Sequence, residues 1–233
     1  MVSPFEPTSS DTGACFHCAR SFTASGAKAL MPLLCDGCWV DSFAYCSKAC
    51  KKAREASHRR ECGLVRPVLE AAEKEESVAP FKALLALRAV LRAADDPAGW
   101  ARTCRLQVHW SEHRLKKPEY VASARRMASL IVSLLSDDDV QAVALGAAAD
   151  GQGALALEAD DGEGSGAGEG GEGAREGVDP SVVDEATLLV QSVFLAINVN
   201  AISCASVGCG IFPGLSSMFN HSCTENVTHA FGR

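Results

Sequence analysis

From Pro80 onward, apolar residues recur with a helical period. Phe81, Leu84, Leu85, Leu87, Val90 and Leu91 fall on one another at spacings of three and four. Pro80 suits the first turn of that helix, where its missing N–H would have had no partner. Tyr120, Ala124, Met127, Ile131 and Leu134 form a second stripe. Val182, Val183, Ala186, Leu189, Val190, Val193, Phe194 and Ile197 form a third, which runs directly into Asn198-Val199-Asn200. Each stripe predicts a helix with one buried face, so these side chains are assigned to a core and given no chemistry. The break at Gly208 and Gly210 predicts a turn. The longest apolar run, Leu188 to Ile197, is interrupted by Gln191 and Ser192 and falls well short of a bilayer span, so no membrane association is expected.

Between the second and third stripes the pattern dissolves. Eight of the twenty glycines lie between Gly162 and Gly177, among Asp160, Asp161, Glu163, Glu169, Glu172 and Glu176, with Arg175 opposing them. Such a segment buries too little apolar surface to offset its backbone entropy and predicts a disordered, self-repelling loop. The chain therefore divides into a Cys-rich segment (15–62), a helical region (63–148), a Gly/acidic loop (149–180) and an apolar C-terminal segment (181–233). At 233 residues, 47% hydrophobic and 22% charged, it has material for one moderate core and a small accessory module. A net charge of -7 argues against a generally basic surface that coats nucleic acid. Met1 to Asp11 has neither the basic nor the apolar part of a secretion signal, which places the expected location in the nucleus or cytoplasm.

Seven of the eleven cysteines crowd into 15–62. In a reducing compartment that clustering reads as metal ligation rather than disulfide bonding. The series is Cys15-x2-Cys18, Cys35-x2-Cys38, Cys46-x3-Cys50 and His58-x3-Cys62. These eight donors in four pairs match two tetrahedral zinc ions, each saturated by protein ligands and so structural rather than catalytic. His17, inside the first pair, is left out because it would compete with its flanking cysteines. Lys48 to Ser57 is rich in Ala, Lys and Arg and predicts a helix leading to His58 and Cys62. With so small a core, the segment is expected to fold only with metal. Lys48, Lys51, Lys52, Arg54, Arg59 and Arg60 make its helical half basic, either as a solvated face or as a surface for acidic or nucleic-acid partners. Trp39 and Phe43 are open to two roles, an aromatic groove or the core of the segment.

The ligand order, with its Tyr45-Cys46-Ser47-x2-Cys50 core and closing His-x3-Cys, resembles the MYND finger. A closely similar series also occurs in RING and PHD-like modules, but the compact final half and the terminal Cys favour MYND. The resemblance implies interleaved pairing: Cys15, Cys18, Cys46 and Cys50 on one zinc, and Cys35, Cys38, His58 and Cys62 on the other. It also implies protein partners, often recognised at Pro-rich segments.

Toward the C-terminus, Gly208-Cys209-Gly210-Ile211-Phe212-Pro213 precedes Asn220-His221-Ser222-Cys223. This run resembles the SET-domain signature, and the order of finger, helical insert and Asn-His-Ser-Cys is similar to that of SET and MYND domain protein-lysine methyltransferases. The resemblance implies a mainly α fold carrying a small zinc module and a partial β-rich SET segment, with short strands near 201–231. It implies S-adenosylmethionine as cofactor, contacted by Asn200, Asn220 and His221, with Cys223 as first ligand of a third zinc and a protein lysine as substrate. As an isolated pair Asn220-His221 would read as a capped turn with a satisfied histidine; the Gly-x-Gly-Ile-Phe-Pro run ahead of it favours the motif.

The chain departs from the SET pattern in three places. Glu225 stands where the family has Pro before the final Asn of the motif, here Asn226. Met1 to Ala14 shows no Gly-rich cofactor loop. The tyrosines, Tyr45 and Tyr120, lie in the finger and in a helix, away from where methyl transfer needs one, and Arg233 ends the chain before the expected catalytic segment. No catalytic residue is therefore assigned, and the chain as given is expected to be inactive as a methyltransferase. The alternative is a non-catalytic, zinc-dependent interaction adaptor.

Overall fold

The computed structural model describes residues 15–18, 22, 32–40, 43–106, 108–148, 178–204 and 208–211. Among them the order is α1 (Lys48–Ala72), α2 (Pro80–Leu91), α3 (Pro97–Cys104), α4 (Trp110–Lys116), α5 (Pro118–Leu134), α6 (Asp137–Ala148), α7 (Pro180–Asn200), β1 (Ala201–Cys204) and β2 (Gly208–Ile211). The described residues are mostly helical, with the Cys-rich module preceding and including the start of α1. The Gly/acidic loop lies almost entirely outside the described residues.

The three apolar stripes fold as helices. Pro80 sits in the first turn of α2 and Pro118 in that of α5. Ser47 caps α1 by accepting from the Cys50 N–H at 3.1 Å, and Asp96 caps α3 by accepting from the Gly99 N–H at 2.8 Å. The helix expected over Lys48–Ser57 is much longer than its Ala/Lys/Arg content indicated. It continues through His58 and Cys62 to Ala72, because Glu61, Val65, Val68 and Ala72 carry a buried stripe onward. Pro67 lies inside it and removes one backbone hydrogen bond, that to the carbonyl of Gly63.

Helix α7 packs against α2, α5 and α6, while α1 lies on α2 and α3 on α6. From Ala83 to Leu91 every residue of α2 is buried, as befits a helix covered on all sides. Pro180–Val199 of α7 is long and apolar enough to cross a membrane, although its longest unbroken apolar run is short. Its apolarity has a different destination here, since Val190, Val193, Phe194, Leu195, Ala196 and Ile197 are all buried in the body. Two buried polar groups fix the packing: the Tyr120 hydroxyl donates to the Phe194 carbonyl at 2.9 Å, and the Trp100 indole N–H to the Val143 carbonyl at 2.9 Å.

Gly208 and Gly210 are not in a turn. They lie in β2, which pairs antiparallel with β1 in the register Ala201↔Ile211 to Cys204↔Gly208. Glycine breaks a helical period without requiring a turn, and a strand tolerates it when the ladder itself holds the backbone. This hairpin is the one sheet among the described residues, and it does not amount to a β-rich domain.

Phe194 is fully buried at the junction of α5 and α7, so Phe194→Ala should lower unfolding free energy by about 3 to 5 kcal/mol, measured by denaturant titration. Arg126 on α5 clasps Glu75, after α1, at 2.6 and 2.7 Å. Hydrogen bonds from Arg126 and then Ser123 hold the Glu75 carboxyl down at about 2. A carboxyl depressed in the folded state stabilises above its unfolded value and loses that contribution as pH falls through the folded one. Arg126→Ala should therefore cost about 0.5 to 1 kcal/mol near pH 6, with Arg126 itself largely exposed, and the gap between variant and wild type should close between pH 4.5 and 2.

Candidate metal centre

The Cys-rich module is assembled around four aromatic or imidazole rings. Phe16 stands edge-on to Phe43 at 4.8 Å and to Tyr45 at 6.0 Å, and the Phe43 ring lies 4.3 Å from that of His58. The Phe16 N–H donates to the Ala44 carbonyl at 2.8 Å, and Leu33 and Tyr45 exchange a pair of backbone hydrogen bonds at 2.8 and 2.9 Å. These short links bring three separate stretches, 15–18, 33–38 and 43–50, to one place.

Around that centre the eight donors fall into two groups, Cys15, Cys18, Cys46 and Cys50, and Cys35, Cys38, His58 and Cys62, with the ligand atoms in each group within 4.8 Å of one another. These are the interleaved sets that the MYND resemblance implies. Neighbouring sulfurs lie 3.6 Å apart between Cys18 and Cys46, 3.5 Å between Cys46 and Cys50, and 3.6 Å between Cys35 and Cys62. Zinc–sulfur bonds of about 2.3 Å in a tetrahedron put sulfurs about 3.8 Å apart, so the spacing is that of metal ligands. It is far from the roughly 2.05 Å of a disulfide. The Cys38 sulfur is 3.4 Å from His58 Nε2, as a mixed sulfur and nitrogen site requires.

The backbone is shaped to this end. A Cβ on Gly37 would lie 2.6 Å from the Cys62 sulfur, so only glycine lets the Cys35-x2-Cys38 knuckle close over Cys62. The Gly37 N–H points at the Cys35 sulfur at 3.4 Å, and Arg66 on α1 donates to the Cys38 carbonyl at 3.1 Å. His58 and Cys62 share one side of α1, one turn apart.

The thiols respond to crowding. Burial and hydrogen bonds to the Cys50 and Cys18 sulfurs push Cys46 up to about 12, and burial with the neighbouring Cys35 charge pushes Cys38 up to about 12. Burial would raise Cys15 and Cys35 too, but N–H groups outweigh it and bring both down to about 7: those of Cys18, Cys46 and His17 for Cys15, and of Cys38 and Gly37 for Cys35. Each group thus has one thiol brought down while a neighbouring thiol is pushed up, chiefly by burial and then by the crowded sulfurs. A divalent cation relieves that conflict for the whole group at once. With four protein donors apiece the ions would be structural, with no open position for water.

The residues flanking the ligands separate into roles that spacing left open. His17 is exposed and belongs to neither group. Phe43 is fully buried and Trp39 is 62% exposed, so the first is core and the second surface. Trp39 holds φ of 54°, a left-handed conformation that a bulky residue seldom adopts, directly after Cys38. Three of the six residues of the expected basic face are in ion pairs, Lys51 with Asp36, Arg59 with Glu55, and Arg60 with Asp95 and Asp139, while Arg54 lies over the Phe16 ring. Nor is the core confined to the module, because Phe16, Phe43 and Tyr45 are continuous with the helical body. Two residues that escaped the sequence reading stand behind His58. Glu61 accepts from Nδ1 at 3.0 Å, and Arg88 of α2 donates to both Glu61 oxygens at 2.7 and 3.3 Å. Their signals were present, an acidic residue three positions after a ligand on a helix and a lone arginine in the apolar run Leu84–Leu91.

Comparison with known families agrees with this geometry, since the profile described as MYND finger matches residues 15–62. The segment is a MYND zinc finger. No curated protein and no solved structure matches the chain. The family match ends with the finger and gives the SET-type reading no support. Asn220, His221 and Cys223 lie outside the described residues, while Asn200 closes α7 at its junction with β1.

Purified protein should contain two zinc ions per chain by elemental analysis. Chelation should expose the finger's seven thiols to a thiol reagent while most far-ultraviolet helical signal persists, because α2 to α7 lie outside the finger.

Proposed function

We propose that this chain is a zinc-dependent protein-interaction unit in which the finger presents an aromatic contact to extended, Pro-containing segments of partner proteins. The observation that carries the reading is Trp39. It is exposed beside a metal-ligand cysteine, and its unfavourable backbone conformation is maintained by the knuckle that the metal would close. MYND fingers are generally protein-interaction modules, and rigid exposed aromatics are frequent anchors of protein interfaces. A nucleic-acid surface is less well supported, because Lys51, Arg59 and Arg60 of α1 are engaged by acidic neighbours and the net charge is -7. Such a unit suits a reducing compartment, nucleus or cytoplasm.

A second reading is the SET and MYND type of protein-lysine methyltransferase, using S-adenosylmethionine. It is favoured by the way α7 passes through Asn200 into the β1–β2 hairpin, whose second strand is Gly208-Cys209-Gly210-Ile211. Asn200, Asn220 and His221 would contact the cofactor, and Cys223 would begin a third zinc site.

Peptides selected from a random library on the zinc-loaded chain should lose at least tenfold in affinity for Trp39→Ala, by fluorescence polarisation, and keep it for Leu115→Ala, an exposed residue of α4 outside the finger. Equal binding by both variants would remove Trp39 from the interface. Calorimetry decides the second reading: heat of binding with S-adenosylmethionine that Asn200→Ala or His221→Ala abolishes supports it, and no heat leaves the interaction unit alone.

A further inference from the structure

A ligating imidazole has two nitrogens, and which one faces the metal depends on what the other one meets. In this finger the far nitrogen of His58 meets Glu61, and Glu61 is held by a residue from outside the finger. His58, Glu61 and Arg88 are 4%, 5% and 5% exposed, so the whole chain of contacts is shielded from water. Arg88 is also fixed from its other side, with its guanidinium 4.8 Å from the Phe16 ring and 5.1 Å from the Phe43 ring. The Glu61 carboxylate is clamped from two sides, with Oε1 3.0 Å from His58 Nδ1 and its two oxygens held by the Arg88 guanidinium at 2.7 and 3.3 Å. A carboxylate oxygen opposite Nδ1 accepts the proton carried there and leaves the Nε2 lone pair toward Cys38.

We propose that Glu61 and Arg88 are positioning residues for the Cys35, Cys38, His58 and Cys62 centre, so that its metal affinity depends on the docking of α2. The Cys15, Cys18, Cys46 and Cys50 centre has no imidazole to orient and lacks that dependence. The finger therefore carries one centre of its own and one whose ligand geometry is completed by the helical body. Release of α2, by a partner or by unfolding, would loosen the mixed centre first. This inference rests on the finger binding two ions.

The test uses the full chain loaded with Co(II), whose visible spectrum separates an all-sulfur centre from one with three sulfurs and a nitrogen, titrated against a chelator. Wild type should show both spectra, and finding fewer than two ions would overturn the metal reading itself. Glu61→Ala should weaken the mixed centre about 10- to 100-fold and leave the all-sulfur centre unchanged. Glu61→Gln keeps an oxygen for the Nδ1 proton and should stay within a few-fold of wild type. The double variant Glu61→Leu with Arg88→Met removes both charges and strands neither, which restores packing if the pair is merely an internal ion pair. Positioning predicts that its mixed centre stays weak even so, with the His58 Nδ1 proton lost from nitrogen-edited NMR spectra. Recovery of wild-type affinity in the double variant, equal weakening of both centres, or Glu61→Gln as damaging as Glu61→Ala would each overturn the proposal.

Discussion

Arg88 enters the structure midway along a helix whose other residues from Ala83 to Leu91 are apolar and buried. A guanidinium in that setting without a partner would be costly, and breaking such a buried pair usually costs about 3 to 5 kcal/mol. Glu61, in the middle of α1, is the partner. Because Glu61 sits between a metal-ligand histidine and the next ligand cysteine, satisfying this one charge joins the finger to the body through α1 and α2. The aromatic rings of Phe16 and Phe43 then pack over the same guanidinium.

From this junction the rest of the finger follows. A helix that begins at a Ser47 cap, carries Cys50, His58 and Cys62, and continues to Ala72 is a rigid rod for three ligands. The other five donors come from irregular backbone with few hydrogen bonds of its own, which is where metal is needed most. Zinc binding of this kind contributes on the order of 10 kcal/mol or more, enough to order short stretches that bury little apolar surface. The tight fit of Gly37 against Cys62 shows how little slack the knuckle has.

The division of labour also explains where contact with other molecules is expected. Ion pairs engage Lys51, Arg59 and Arg60 on α1, and the rings of Phe16, Phe43 and Tyr45 are buried. Trp39 remains outside, on the loop between a ligand and the core residue Phe43. A fixed scaffold with one exposed rigid aromatic loses little conformational entropy on binding, which favours recognition of extended peptides.

The amino-acid sequence alone determined the metal chemistry and the helices, because both are local. Ligand identity and spacing in Cys-x2-Cys pairs count the ions, and a period near 3.6 marks a buried face whatever it packs against. It also showed the family kinship of the finger. Tertiary structure decided what depends on distant partners. Only there does α1 prove to continue past Cys62, since its second half is helical for the sake of α2 and α5. Only there do Gly208 and Gly210 become strand residues, because a ladder needs its opposite strand. The same holds for Phe43 and Trp39, two aromatics four apart whose fates split on which side of the knuckle the core forms. Arg88 was legible only as an anomaly in an apolar helix; its meaning required the carboxylate 27 residues away in sequence and 2.7 Å away in space.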